Sequence, residues 1–329
     1  MLARRGLLIL LLLLGCPFGG CERPPAGKTS SEVRLGYFAN VTHAQALLGV
    51  ANGDFQAAIA PAQLRPKVFN AGPALVQALF AGEIDIAYVG PGPALNAFLR
   101  SRGREIRVIS GAAADGVVIV ARKDCAIRSL DDLPGHRIAT PQVGNTQDLA
   151  AKTFLRRLGH PDWRSAVIPV PNAEQSTLMA RKEIDAVWVP EPWGAVLLAE
   201  GHRLIAEEKH LWPEGTFSLT LLIASPRFLQ QHPETARRIV AVHRTWTQRL
   251  QADPQAYATA LSDALFTLTS KRLSARVISD SLTRVRFTDD PLPATLTEML
   301  ARVGELGYGR TTPALQGLLQ PIDPPARMD

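Results

Sequence analysis

From Val33 onward, short apolar runs alternate with stretches whose apolar residues recur at helical spacing. The runs VRLGYF, KVFN, IDIAYVG, IRVISGA and VVIVAR read as strands, and the segments between them read as helices. That alternation predicts an α/β fold built on a parallel layer. A second cycle begins at Ser129, with strands at HRIATP, AVIPV and IDAVWVP, the turn VGNTQD, and a helix through Leu158. After TLLIAS the alternation stops. The remaining stretches, ETARRIVAVHRTWTQRL, QAYATALSDALFTL, SARVISDSLTRV and ATLTEMLARVGELG, read as amphipathic helices expected to pack back on the first lobe. The expected organisation is a first lobe of residues 33–118 plus 222–329 and a second lobe of residues 119–221. Two chain crossings, near residues 117–121 and 218–223, would then form a hinge with a ligand cleft between the lobes.

One segment is written twice. EIDIAYVGPGPA begins at Glu83 and EIDAVWVPEPWG at Glu183, and the helix-compatible run before each copy stops at Gly82 or Lys182. Each copy predicts a buried strand followed by a turn that opens a helix, the place where α/β sheets bind ligands. Five such strand-to-helix turns are predicted: residues 36–43, 70–73, 90–93, 143–147 and 190–193. Backbone N–H groups at helix starts, with Gly permitting close approach, are natural anion sites. Capping serves these residues equally well without a ligand: Thr42 with Gln45 reads as a capping box, and Asn145 with Asp148 as a similar pair.

GYFANVT, VGPGPA, VGNTQD and VPEPW contain no Arg or Lys. A multiply charged phosphate calls for fixed cations, so these turns suit a monoanion held by neutral donors. Tyr37, Phe38, Trp188 and Trp193 offer an apolar wall for an organic tail, although Trp188 on an alternating strand fits the core equally well. Glu191 before Pro192 is favoured by the helix dipole; facing the cleft, it would instead select a ligand bearing an ammonium group.

At 329 residues and 46% hydrophobic, the chain can bury two domains' worth of core. Its start is separate: MLARRG is cationic and Leu7 to Leu14 is an aliphatic run too short to span a bilayer, which reads as an export signal over residues 1–20. Both Cys16 and Cys21 stand in segments resembling the lipobox of bacterial lipoproteins. Pro17 directly after Cys16 is unusual for that motif, which favours Cys21 as the lipidated residue with Cys16 as the alternative. ERPPAGKTSS then reads as a tether within residues 21–32. Removing Arg4 and Arg5 with the signal lowers the formal charge from +6 to +6 − 2 = +4. With no basic cluster, this excludes a nucleic-acid partner as the reading. Cys125 is left as a bland thiol, with no cysteine partner in the folded region and no metal-ligand spacing around it.

GYFANVTHAQALLG, FNAGPALVQALFAGEIDIAYVGPGPA, ATPQVGNTQD and IDAVWVPEPW together resemble the substrate-binding proteins of ABC importers for aliphatic sulfonates, nitrate and taurine. The resemblance covers Val33 to about Gly309. It implies a two-lobe periplasmic-binding-protein fold, type II-like, that closes on its ligand and needs no cofactor. It also implies a protein, lipid-anchored or free in the periplasm, that hands a small anion to a permease driven by a separate ATPase; with the N-terminal Cys residues, the expectation is a monomer exported to the periplasm or cell surface on a lipid anchor. The ligand-binding residues implied are Asn40, Thr42, Gly90, Pro91, Gly92, Gly111, Ala112, Asn145, Thr146, Trp188 and Glu191, to which the apolar wall adds Tyr37 as the twelfth candidate. Aliphatic sulfonate is the leading ligand; nitrate or bicarbonate, taurine, thiamine precursors, or an enzyme on the same fold are the alternatives. Against an enzyme, the chain has no H-E-x-x-H, G-x-S-x-G or P-loop, and His43, the one His in the candidate turns, has no evident acid partner.

Overall fold

The structure is a computed structural model that describes residues 32–307 and 315–323. The expected export signal, Cys16, Cys21 and the tether before Glu32 lie outside the described residues.

The first part of the chain runs β1 (Glu32–Phe38), α1 (Ala44–Ala51), α2 (Asp54–Ile59), β2 (Gln63–Phe69), α3 (Gly72–Phe80), β3 (Ile86–Val89), α4 (Pro91–Arg100) and β4 (Arg107–Asp115). The middle part is β5 (Val117–Ala121), β6 (Ile138–Thr140), α5 (Thr146–Arg157), β7 (Val167–Pro169), α6 (Asn172–Ala180), β8 (Ala186–Pro190), α7 (Trp193–Ala199) and β9 (Arg203–Glu207). The rest is β10 (Ser218–Ala224), α8 (Pro226–Gln231), α9 (Pro233–Ala252), α10 (Ala258–Thr269), α11 (Ala275–Leu282), β11 (Val285–Phe287) and α12 (Pro293–Glu305).

The strands form two sheets, ordered β11-β4-β10-β3-β1-β2 and β7-β6-β8-β5-β9. Neither is parallel throughout, contrary to the pattern-based expectation. Strands β1, β2 and β3 are parallel, as are β6, β7 and β8, but β10 runs antiparallel to β3 and β4, and β5 antiparallel to β8 and β9. The reason is the route: β5 and β10 are entered from the other sheet rather than through a helical crossover, so nothing forces them parallel. The sheets change over at Gly116 and between Glu207 and Ser218, so β5 lies wholly in the smaller sheet and β10 wholly in the larger. The expected boundaries at 118/119 and 221/222 cut inside these strands.

The written-twice segment is one device used in both sheets. Asp85 Oδ2 accepts from Arg34 N–H at 2.8 Å and from Arg34 Nε at 2.9 Å; Asp185 Oδ2 accepts from Arg137 N–H at 3.1 Å and Nε at 3.0 Å. Each Asp N–H in turn donates to its Arg carbonyl at 2.9 Å. The guanidinium reaches on to a helix C-terminal carbonyl, that of Gly82 in one sheet and of Lys182 in the other. Gly82 and Lys182 both adopt positive φ, 68° and 60°, ending α3 and α6 in the same way. The guanidinium forks hold Asp185 well below the ordinary carboxylate range despite its partial burial.

Three large apolar clusters among the described residues follow from this layout. One face of the larger sheet, with Leu35, Tyr37 and Ile86, packs on the helical tail through Ile239, Trp246 and Leu261. The other face shares a cluster with the smaller sheet, including Leu75, Ile119, Trp188 and Leu221. The smaller sheet's outer face buries Val118, Val187 and Met179. Each fully buried Leu, Ile or Val contributes about 1.5–3 kcal/mol relative to exposure. The helical tail thus packs back on the larger sheet through α9–α11, while α12 reaches both halves: Arg157 on α5 pairs with Glu298 at 3.3 Å and Glu305 at 2.7 Å.

Candidate functional site

The five expected strand-to-helix turns each contribute to one cavity. Asn40, Thr42 and His43 come from the turn after β1, Asn70, Ala71 and Gly72 from the turn after β2, and Gly90 and Pro93 from the turn after β3. From the smaller sheet, Asn145, Thr146 and Gln147 come from the turn after β6, and Pro190 ends β8. The cavity has an empty volume of about 430 Å³, counting its open mouth. Each turn arrives there because a parallel strand delivers its carboxyl end to the same edge of its sheet.

The polar groups are backbone and neutral side chains. Asn145 caps α5, its Oδ1 accepting from Asp148 N–H at 2.7 Å, while the N–H groups of Thr146 and Gln147 find no acceptor among the described residues. Thr146 Oγ1 accepts from Gly92 N–H at 3.2 Å, tying the starts of α4 and α5. A Cβ on Gly92 would lie 2.9 Å from Thr146 N and Cα, so only Gly allows that approach. Asn40 Oδ1 accepts from Trp193 Nε1 at 2.9 Å across the cleft.

Among the described residues, no Lys, Arg, Asp or Glu lines the cavity. Its one titratable group, His43, is fully buried, and that burial pushes the imidazole down to about 3, so it is neutral. Its Nδ1 accepts from Phe38 N–H at 3.3 Å, which leaves the ring proton on Nε2 as a donor. The cavity therefore presents neutral donors and helix N-termini, an environment that favours one negative charge and gives a second no cation.

Of the twelve residues expected from the sequence, the structure brings Asn40, Thr42, Gly90, Asn145 and Thr146 to the cavity. Pro91 and Gly92 are buried in the first turn of α4, Gly92 against Thr146. Tyr37 is buried in the core with Leu35, because strand alternation turns it away from the face that carries Phe38. Gly111 backs onto the 289–291 segment, its N–H donating to Asp289 O at 2.8 Å, and Ala112 is core with its carbonyl taken by Gln45. That bond also removes the expected Thr42–Gln45 capping box: Gln45 Nε2 reaches Ala112 O at 2.7 Å and Thr247 Oγ1 at 3.1 Å instead.

Trp188 is buried behind the sheet, its Nε1 donating to Glu208 at 2.6 Å. Glu191 is fully buried outside the cavity: Oε2 accepts from Ala195 N–H at 2.9 Å and Oε1 from Arg284 Nη1 at 3.0 Å. Burial pushes its carboxyl up, and these two donors oppose the shift. Of the four aromatic side chains expected as a wall, Phe38 alone lines the cavity.

Pro141, Asn172, Leu219 and Thr220 also line the cavity and lie outside the turns expected from the sequence. Asn172 opens α6 after the apolar strand AVIPV and could have been found as a sixth strand-to-helix turn. Leu219 and Thr220 lie within β10 and carry no turn signal.

The family model of the NMT1-like family matches residues 26–264. Over 178 residues, the chain is 28% identical to a Brucella abortus protein described as a binding protein, covering 54% of each. It is 23% identical to the taurine-binding periplasmic protein of Escherichia coli, over 51% of this chain and 52% of that one. The chain spans about half the length of the curated relatives it matches. The alkanesulfonate-binding protein SsuA of Xanthomonas axonopodis pv. citri, solved with MOPS bound, superposes with a TM-score of 0.74 at 19% identity, over 88% of this chain and 98% of that one. That likeness identifies the fold as the periplasmic-binding-protein fold.

Proposed function

The chain belongs to the NMT1-like family, and from that premise we propose that it is an extracytoplasmic solute-binding lipoprotein of an ABC importer, capturing a small organic monoanion, an aliphatic sulfonate, for delivery to the permease. The observation that carries this reading is the convergence of helix starts and neutral donors from both sheets on a cavity without a charged side chain. A sulfonate brings one charge and three acceptor oxygens, matching N–H groups such as those of Thr146 and Gln147. An alkyl group would rest on Phe38, Pro93 and Leu219. The lack of a carboxylate in the lining favours a simple alkanesulfonate over taurine, whose ammonium would be left without a partner.

A thermal-shift panel of alkanesulfonates, taurine, nitrate, bicarbonate, phosphonates and thiamine precursors tests the reading. A sulfonate at a hundredfold excess over its Kd adds about 2.7 kcal/mol to stability and should raise Tm by several degrees. A shift with nitrate or a thiamine precursor and none with any sulfonate would replace the proposed ligand.

A further inference from the structure

Beside the anion cavity runs a groove between α3 and α4. Pro73, Val76 and Phe80 line it from α3, and Pro93, Ala97 and Arg100 from α4, both sets at the three- to four-residue spacing of a single helix face. The Val143–Gly144 turn closes it from the smaller sheet, with Asn96 Nδ2 donating to Gly144 O at 3.4 Å. Pro93 lines both spaces, and the chain steps from one to the other at Gly72–Pro73 and Gly144–Asn145, so cavity and groove adjoin. The groove's empty volume, about 660 Å³, exceeds that of the cavity itself.

Two features of the groove are unspent in the fold. Val143 is 51% exposed at its rim, an apolar side chain turned to water. Arg100 stands exposed at the far end of α4 and makes no ion pair or hydrogen bond with any described residue. A cation suits a helix C-terminus, but the dipole does not require it to border an apolar channel. Arg100 lies about 12 Å along α4 from Gly92, at the usual helical rise.

Building on the sulfonate reading, we propose that this groove receives the organic tail of the ligand and that Arg100 meets an anionic group at the tail's far end. The ligand class is then an organosulfonate with an extended apolar tail ending in a second acid. The sulfonate sits on the helix starts, the tail lies along Pro93, Val76 and Phe80, and the second acid is drawn to the one cation of the groove.

Calorimetric titration of the full chain with methanesulfonate, octanesulfonate and octanedisulfonate carrying a sulfonate at each end tests this. Octanesulfonate should bind at least about tenfold tighter than methanesulfonate, from the methylenes removed from water. The disulfonate should gain about threefold more at low salt, the scale of an exposed ion pair. Arg100→Ala should abolish that last gain, Arg100→Lys should keep most of it, and Arg102→Ala, on a cation outside the groove, should leave all three affinities as in wild type. If methanesulfonate binds and the longer ligands bind no tighter, the groove is not a tail site and the inference falls while the sulfonate reading stands. If the disulfonate gain survives Arg100→Ala, Arg100 does not meet the tail and the inference is equally overturned. If no sulfonate binds, both fall together.

Discussion

Thr146 serves two ends with one hydroxyl: it lines the cavity, and it accepts the Gly92 N–H that joins α4 to α5. Thr146→Val keeps the shape and removes the hydroxyl, so ethanesulfonate affinity should fall by up to about tenfold, the equivalent of 0.5–1.5 kcal/mol for one hydrogen bond. Titration showing unchanged affinity would remove Thr146 from the site. Buried titratable residues make a second prediction. His43 and His243 are pushed down to about 3 and about 4 by burial, from an ordinary value near 6.5. As pH falls through that window the unfolded chain takes up protons the folded one refuses, so these residues contribute stability above about pH 6.5 that is lost on acidification. Glu208 acts oppositely. Burial between Trp188 and Trp212 pushes it up to about 7, so its contribution is present below its ordinary value and is lost as pH rises toward 7. Urea unfolding between about pH 5 and pH 7 should show His43→Gln tilting the stability profile toward acid and Glu208→Gln tilting it toward neutral pH. Tilts of the same sign would contradict the burial account. At this scale the sequence was half legible. Asn40, Thr42 and Asn145 were readable because turn residues have few places to point. Tyr37 and Trp188 were not, because on a strand the choice of face depends on register with neighbours that no local pattern reveals.

Elements were more legible than residues, since a strand or helix is fixed by the average of several positions. The doubled EID segment marked two equivalent strands, and both bear the same Asp-to-Arg clasp. What stayed hidden was the Arg partner, which lies on a neighbouring strand or just before one, far away in the chain, and the short strands β9 and β11, the latter only three residues at a sheet edge. Glu191 shows how an element can claim a residue that looks functional. It joins the start of α7 to Arg284, between α11 and β11, so it ties the smaller sheet's helix to the larger sheet's tail beside the small apolar cluster of Ala195, Val196 and Val277. Glu191→Gln should therefore cost about 1–3 kcal/mol by leaving Arg284 partly buried without its counter-charge. Discrimination between taurine and ethanesulfonate should not change. A selective loss of taurine binding would place Glu191 at the ligand after all.

At the scale of the whole molecule, two crossing segments join the sheets and are tied to each other. Asp115, at φ 65°, precedes Gly116, at φ 70°; its Oδ1 accepts from Thr216 Oγ1 at 2.9 Å and Phe217 N–H at 3.1 Å, and its own N–H donates to Phe217 O at 3.0 Å. Paired crossings of this kind permit rotation of one half against the other, and the contacts Gly92 to Thr146 and Trp193 to Asn40 are those a ligand-held form would keep. Small-angle scattering should show a smaller radius of gyration with saturating ethanesulfonate; an unchanged radius despite confirmed binding would exclude large closure. The periodic pattern announced two such halves, but their exact seams were illegible because β5 is apolar throughout and β10 is buried along its whole length, so neither changes character at a boundary. The proposed function requires above all that the cavity be a monoanion site. Calorimetric titration of the full chain with ethanesulfonate tests that most directly: the prediction is saturable binding at one site per chain that taurine does not surpass, and the absence of binding heat at any temperature, or tighter binding of taurine, would contradict it.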